Sequence, residues 1–189
     1  MKIRLARFIS VLGHPALVMP LCALITSNRH KDTSVLWIAP LLATLCAGII
    51  MIYSIFKTRK GQWAHIDASG KQERSELNIF AMVLLLVIVI GLVYFQAEKG
   101  IVLVVGIAAI LILVAHLLRQ YMKPSMHVAF CFFAACIVWP VYWMVLILGL
   151  LGFALGWSRL VLMRHTIIDV IVGAVIGLTC GGAFRILMH

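Results

Sequence analysis

Residues 77–95 and 101–118 carry no Asp, Glu, Lys or Arg, and neither does 35–56. These uninterrupted apolar runs constrain the chain more than any other feature. A helix needs ~20 residues to cross the roughly 30 Å hydrocarbon core of a bilayer. In lipid the backbone must satisfy its own N–H and C=O groups, which leaves helices or closed barrels. Composition agrees. Of 189 residues, 64% are hydrophobic and 12% charged, against about 45–50% and about 25% in soluble domains. The expectation is an all-α, polytopic membrane bundle forming one domain over 1–189. A soluble enzyme, a disordered chain and a secreted disulfide scaffold are excluded.

The net charge is +10. It is concentrated between the apolar runs, which points to anionic headgroups or phosphorylated substrates as partners, not to nucleic acid. The five cysteines, Cys22, Cys46, Cys131, Cys136 and Cys180, all lie in apolar segments without zinc-ligand spacing. They read as small packing residues. The basic start, Met1 to Arg7, resembles a signal peptide only loosely, and no small-x-small site follows it. It is expected to be retained.

Along the chain, 13–26 is apolar but short and holds His14, Pro15 and Pro20; it either spans or re-enters. A polar link, 27–34, precedes the span 35–56, with Ser34 as N-cap and Pro40 near its first turn. The longest polar stretch is 57–76. Spans 77–95 and 101–118 follow, joined by a tight link. Residues 119–127 are polar. The 30 residues of 128–157 are long for one helix and short for two. The last run, 166–184, is apolar apart from Asp169. This makes six to seven membrane segments.

Three places carry possible chemistry. In the first, Ser158-Arg159 precedes His165 and Asp169. The last two are four apart, so on a helix the carboxylate can reach the imidazole. An ionised Asp holding one ring nitrogen makes the other a better nucleophile or base. Arg159 can grip phosphate in fork geometry. An ionisable group within a membrane run is costly and marks a functional site, although an Asp–His pair can also serve packing alone. In the second, Lys123-Pro124-Ser125-Met126-His127, Ser125 is at or near an N-cap whose free N–H groups suit an anion. His127 on the first turn can donate a proton to a leaving oxygen. The third is 65–74, where Lys71 and Arg74 are three apart and can share a phosphate. Lys57, Arg59 and Lys60 read as a solvated surface.

Ser158-Arg159, His165 and Asp169 match in full the third motif, SRxxxxxHxxxD, of the type-2 phosphatidic acid phosphatase superfamily of membrane lipid-phosphate phosphatases. Pro124-Ser125-Met126-His127 resembles its second motif, PSGH, with Met126 in place of Gly. The first motif, KxxxxxxRP, is not present as written; Lys71 and Arg74 stand in its expected place with different spacing and no proline. The resemblance covers about the C-terminal two thirds. It implies a metal-independent phosphatase, a hydrolase of lipid metabolism without a cofactor. His165 attacks phosphorus and becomes phosphohistidine, Asp169 supports it, and His127 protonates the leaving group. Arg159, Ser125 and Ser158 bind phosphate, with Lys71 and Arg74 as substitutes for the first motif. The substrate implied is a phosphorylated lipid or polyprenyl (di)phosphate, and a phosphotransferase is a close variant.

This mechanism requires 57–76, 119–127 and 158–165 on one side of the membrane. Residues 128–157 must then form a hairpin turning near Trp139-Pro140, with arms of roughly 11–17 residues sunk in the bundle and the turn covered by protein. On the last segment Asp169, Gly173, Gly177 and Gly181 recur every four residues, a stripe that permits close helix approach. The expected location is a bacterial inner membrane. The proposed site side, with the N-terminal tail, holds 12 of the 16 Lys and Arg. That leans toward a cytoplasmic site, although many membrane relatives work on the outer face. The competing reading is a transporter whose Asp169–His165 pair relays protons. A third is a non-catalytic phospholipid-binding relative. Only an enzyme forms a phosphoryl intermediate dependent on His165.

Overall fold

The computed structural model describes residues 1–27, 33–68 and 70–189, and the side chains of 33–36 also lie outside the description. Residues 28–32, with Arg29 and Lys31, and Ser69 therefore lie outside the described residues; α3 begins at Thr33, so the expected link ends before 33 and Ser34 lies inside the first turn rather than at the N-cap. The described chain forms eight helices and no strand: α1 (Lys2–Leu12), α2 (Pro15–Ser27), α3 (Thr33–Arg59), α4 (Lys71–Tyr94), α5 (Lys99–Leu118), α6 (Met126–Ile137), α7 (Tyr142–Val161) and α8 (Ile167–Met188). Five of them, α3 (from Trp37), α4, α5, α7 and α8, are long and apolar enough to cross a membrane. The pair α1 and α2 passes the same test jointly but is bent by 47° at Gly13-His14. The protein is an all-α polytopic bundle and an integral membrane protein.

The burial pattern is that of a protein whose solvent is lipid. Ile90 is 69% exposed and Phe153 73%. Such side chains in water would each forfeit roughly 1.5–3 kcal/mol of burial; against acyl chains they forfeit little. Helix α1 differs from the rest. Lys2, Arg4 and Arg7 interrupt its apolar residues, and it buries only Ala6 and Ser10, lying against α7.

Residues 128–157 do form a hairpin, turning at Trp139-Pro140, a cis peptide. Its arms are unequal. With 12 residues α6 is ~18 Å long, whereas α7, with 20, is ~30 Å. The expectation of two short arms is corrected because α7 continues through Ser158-Arg159 to Val161. Helix α6 is the sunken arm, with Val128, Ala129, Cys131, Phe133 and Ala134 all at or below 1% exposure. The turn is not covered as expected: Trp139 and Pro140 are exposed, and the Trp139 carbonyl accepts a hydrogen bond from Arg185 at 3.3 Å.

The glycine stripe is the α6–α8 seam. A Cβ on Gly173 would sit 2.7 Å from the Ser125 carbonyl oxygen; on Gly177 it would strike the Ala129 carbonyl, and on Gly181 the Cys136 side chain. Backbone meets backbone here because α8 has no side chains in the way. Gly177→Ala should therefore lower the unfolding midpoint in detergent by several degrees, since overpacking costs about 1–3 kcal/mol and a backbone carbonyl yields less than a side chain. Gly91→Ala, with nothing within 4 Å, should leave the midpoint unchanged or raise it slightly. Thermal unfolding of both variants followed by intrinsic fluorescence checks this.

Candidate functional site

Three chain segments meet where α6 and α8 begin. Thr166 is the N-cap of α8, and the cap is reciprocal: Asp169 N–H donates to Thr166 Oγ1 at 3.3 Å, and Thr166 N–H donates to Asp169 Oδ2 at 2.8 Å. The second carboxylate oxygen reaches across to the other helix start, where Oδ1 accepts from Lys123 N–H at 2.7 Å. Ser125 N–H donates to the Asp169 carbonyl at 3.0 Å. One residue thus fastens the segment before α6 to the first turn of α8. An ionised carboxylate only 6% exposed requires such partners.

This changes the role expected of Asp169. It does not hydrogen-bond His165: Nδ1 lies 4.0 Å from Oδ2. Nδ1 instead contacts the Lys123 carbonyl at 2.9 Å. A carbonyl only accepts, so Nδ1 carries the proton and Nε2 holds the lone pair. Asp169 acts on the ring through the Lys123 peptide unit, whose N–H it binds and whose C=O holds the imidazole. The i,i+4 pair stays within ion-pair distance but makes no hydrogen bond, because His165 precedes the helix, which begins at Ile167. Burial lowers the His165 pKa from 6.5 to about 4, assisted by the charges of Arg159, Lys123 and Arg74 and opposed by the Lys123 carbonyl. The ring is neutral at pH 7. Burial, then Arg74, also holds the Lys123 ammonium below its usual range.

Arg159 sits in the last turn of α7 and is 2% exposed. Its Nη1 lies 3.6 Å from Asp67 Oδ2, while Nε and Nη2 are buried with no partner in the protein. His127, on the first turn of α6, has a buried Nε2 likewise without a partner. Ser125 is the α6 N-cap residue as expected, but its hydroxyl makes no capping bond and is buried unpaired. Unpaired buried polar atoms are rare in folded proteins.

A cavity of about 780 Å³ opens at this cluster. Arg74, Lys123, His127, Arg159, Arg164 and His165 line that end. Its apolar walls run down α3, α4 and α5 past Cys46, Ala81, Val104 and Ala108 to Phe184 and Trp139. Three expected phosphate ligands do not line it: Lys71, Ser158 and the fully buried Ser125. Lys71 is exposed and outside the cavity wall, while Arg74 from the same turn lines it. Ser158 faces away, donating to the Ala6 carbonyl at 2.6 Å. It fastens α1 to α7.

Two residues join the cluster unexpectedly. His14, at the bend between α1 and α2, packs edge-on against His127, with ring centroids 4.8 Å apart. Asp67 comes from the α3–α4 loop, in which Trp63 and Ala68 are buried while 59–62 and 64–66 are exposed. His14 had a readable signal, an ionisable group inside an apolar run. Asp67 had none in a polar stretch. Among the described residues, His14, Asp67 and His127 also form the one group of three whose ligand atoms lie within 4.8 Å of one another, as a metal would need. Arg159 and Arg164 already engage the same carboxylate. Two guanidinium groups there favour an anion over a divalent cation. No protein-family model, curated protein or solved structure matches the chain.

The His165 ring should titrate with a midpoint of about 4. It should stay neutral as pH falls from 7 to 5 and gain its proton only below that. Ring-proton NMR of protein with labelled histidine, assigned by His165→Gln, checks this; a midpoint near the ordinary ~6.5 would show a solvated ring. Asp169→Asn should cost about 1–3 kcal/mol of stability, because an amide offers one acceptor where two N–H groups need one each. Denaturant unfolding in detergent measures it.

Proposed function

We propose that this protein is an integral membrane lipid-phosphate phosphatase acting through a phosphohistidine on His165, without a metal ion. The observation that carries the reading is the set of buried polar atoms at the cavity mouth, the donors Arg159 Nε and Nη2 beside His127 Nε2, which find no partner in the protein. A phosphate group supplies the acceptors those donors lack. The neutral His165, with its lone pair on Nε2, sits among Arg74, Lys123 and Arg159, cations suited to a charged phosphoryl group.

In the proposed reaction His165 Nε2 forms a bond to phosphorus as the bond to the lipid oxygen breaks. His127 gives its proton to that oxygen, and the bound phosphate beside it favours the imidazolium. Water then attacks the phosphohistidine and returns a proton to His127. Inorganic phosphate leaves and His165 is regenerated. Asp169 contributes by holding Lys123, and through it the His165 tautomer. Arg74 takes the part of the expected first-motif cations. The apolar cavity walls below this end suit the hydrocarbon chain of a phosphorylated lipid or polyprenyl (di)phosphate. A proton-relay role for Asp169 and His165 has less support, since both Asp169 oxygens are taken by backbone N–H groups.

We place the protein in a bacterial inner membrane. The basic tail of α1 is tied to the site end of α7 through Ala6 and Ser158, so Lys2, Arg4 and Arg7 count with the site. This supports a cytoplasmic active site by the positive-inside rule.

Detergent-purified protein should release phosphate from phosphatidic acid, phosphatidylglycerol phosphate or a polyprenyl diphosphate with chelator present. His165→Ala should abolish release, and His127→Ala should slow it by about 10²–10⁴-fold. Release that stops with chelator, or survives His165→Ala, would refute this mechanism.

A further inference from the structure

His14 and Asp67 belong to no motif, yet both touch the machinery just described. The geometry around Arg159 suggests why. Its Nε and Nη2, unpaired and buried, are the two donors on one edge of the guanidinium, the edge that grips a phosphate with parallel bonds. Asp67 faces Nη1 instead, at 3.6 Å. The carboxylate thus restrains the group from the side and leaves the two-donor edge open.

Asp67 is itself held from three directions. Arg164 donates to the same Oδ2, and His14 Nε2 lies 3.9 Å from Oδ1. The loop beneath it is fastened by Glu73, which accepts from Ala64 N–H at 2.8 Å and Gly70 N–H at 2.9 Å. His14 is fixed in turn. Ala16 N–H donates to its Nδ1 at 3.2 Å, which leaves the ring proton of the neutral form on Nε2, facing Asp67. The His14 ring meets that of His127 at an interplanar angle of 88°.

We propose that His14 and Asp67 form a positioning pair: Asp67 turns the Nε–Nη2 edge of Arg159 toward the substrate phosphate, and His14 steadies both Asp67 and the His127 ring. The bent N-terminal helix pair is then part of the site, not merely an anchor. This rests on the phosphatase reading. A carboxylate so close to a phosphate site would also compete with phosphate, but Asp67 leaves the gripping edge free, and Arg164 offsets its charge.

The test uses the full chain in detergent, with Asp67→Asn, Asp67→Glu and His14→Gln. It reads orthovanadate inhibition, and KM and kcat on phosphatidic acid. Asp67→Asn should weaken vanadate inhibition and raise KM about tenfold, the loss typical of one charge-assisted hydrogen bond. Asp67→Glu should restore most of both. His14→Gln should raise KM and also lower kcat, since it loosens His127 as well. Vanadate inhibition unchanged or tighter in Asp67→Asn would make Asp67 a competitor and overturn the proposal. So would activity that is lost with chelator, returns with Zn²⁺ in the wild type and fails to return in His14→Gln, which would make the trio a metal site. If Asp67→Asn fails to fold, Asp67→Glu and His14→Gln decide: wild-type KM and kcat in His14→Gln would overturn the proposal. Wild-type protein that releases no phosphate from any of the three substrates would instead overturn the phosphatase reading beneath it.

Discussion

A carboxylate placed at the start of a membrane helix must find donors, because lipid offers none. Asp169 finds them in two backbone N–H groups from different segments, Thr166 on its own helix and Lys123 before α6. That pair of bonds decides how α6 and α8 meet. Farther along the same face, Gly173, Gly177 and Gly181 let the two backbones close. The clamp sets the register and the glycines permit the distance. The His165 ring then depends on both, since it is held by the carbonyl of the peptide unit that Asp169 binds.

The unequal hairpin decides where this clamp lies. Because α6 is only 12 residues long and α7 is 20, the first turn of α6 begins inside the bundle rather than at its rim. His127 is therefore buried beside the end of α7 that carries Arg159. The long, sparsely buried α3 and α4 complete the wall of the cavity below. Their apolar side chains face lipid outward and the cavity inward, so a single hydrophobic composition serves both surfaces.

Cations are concentrated at one end of this cavity. Arg74, Lys123, Arg159 and Arg164 line it together with Asp67, and Asp169 lies behind the Lys123 backbone. Asp169 is spent on backbone donors. Asp67 meets two guanidinium groups but leaves one edge of Arg159 unoccupied by protein. The residual character is that of an anion site with an apolar floor, which is the physical content of the proposed lipid-phosphate chemistry.

Sequence alone determined the class of fold, because charge-free runs such as 77–95 have no other stable state than membrane helices. It also pointed to the hairpin at Trp139-Pro140, since the 30 apolar residues of 128–157 are long for one helix and hold a proline inside, and to the glycine seam, since a four-residue period of small residues permits close helix approach. His127, Arg159 and His165 were legible as motif spacing, and Arg74 only as a cation three residues from Lys71 in the polar stretch before a span. Tertiary structure decided the rest. Spacing suggested an Asp169–His165 bond, but a residue just outside a helix does not follow helical geometry, and the Lys123 carbonyl took that place. Lys71 and Ser158 turned outward and toward α1, directions that depend on where α4 begins and on what packs beside α7. His14 and Asp67 entered from segments 53 positions apart in the chain, and nothing local in a sequence records which distant loop will fold over which helix bend. Local rules fix elements and periodicities; the convergence of their ends is fixed only when the whole bundle closes.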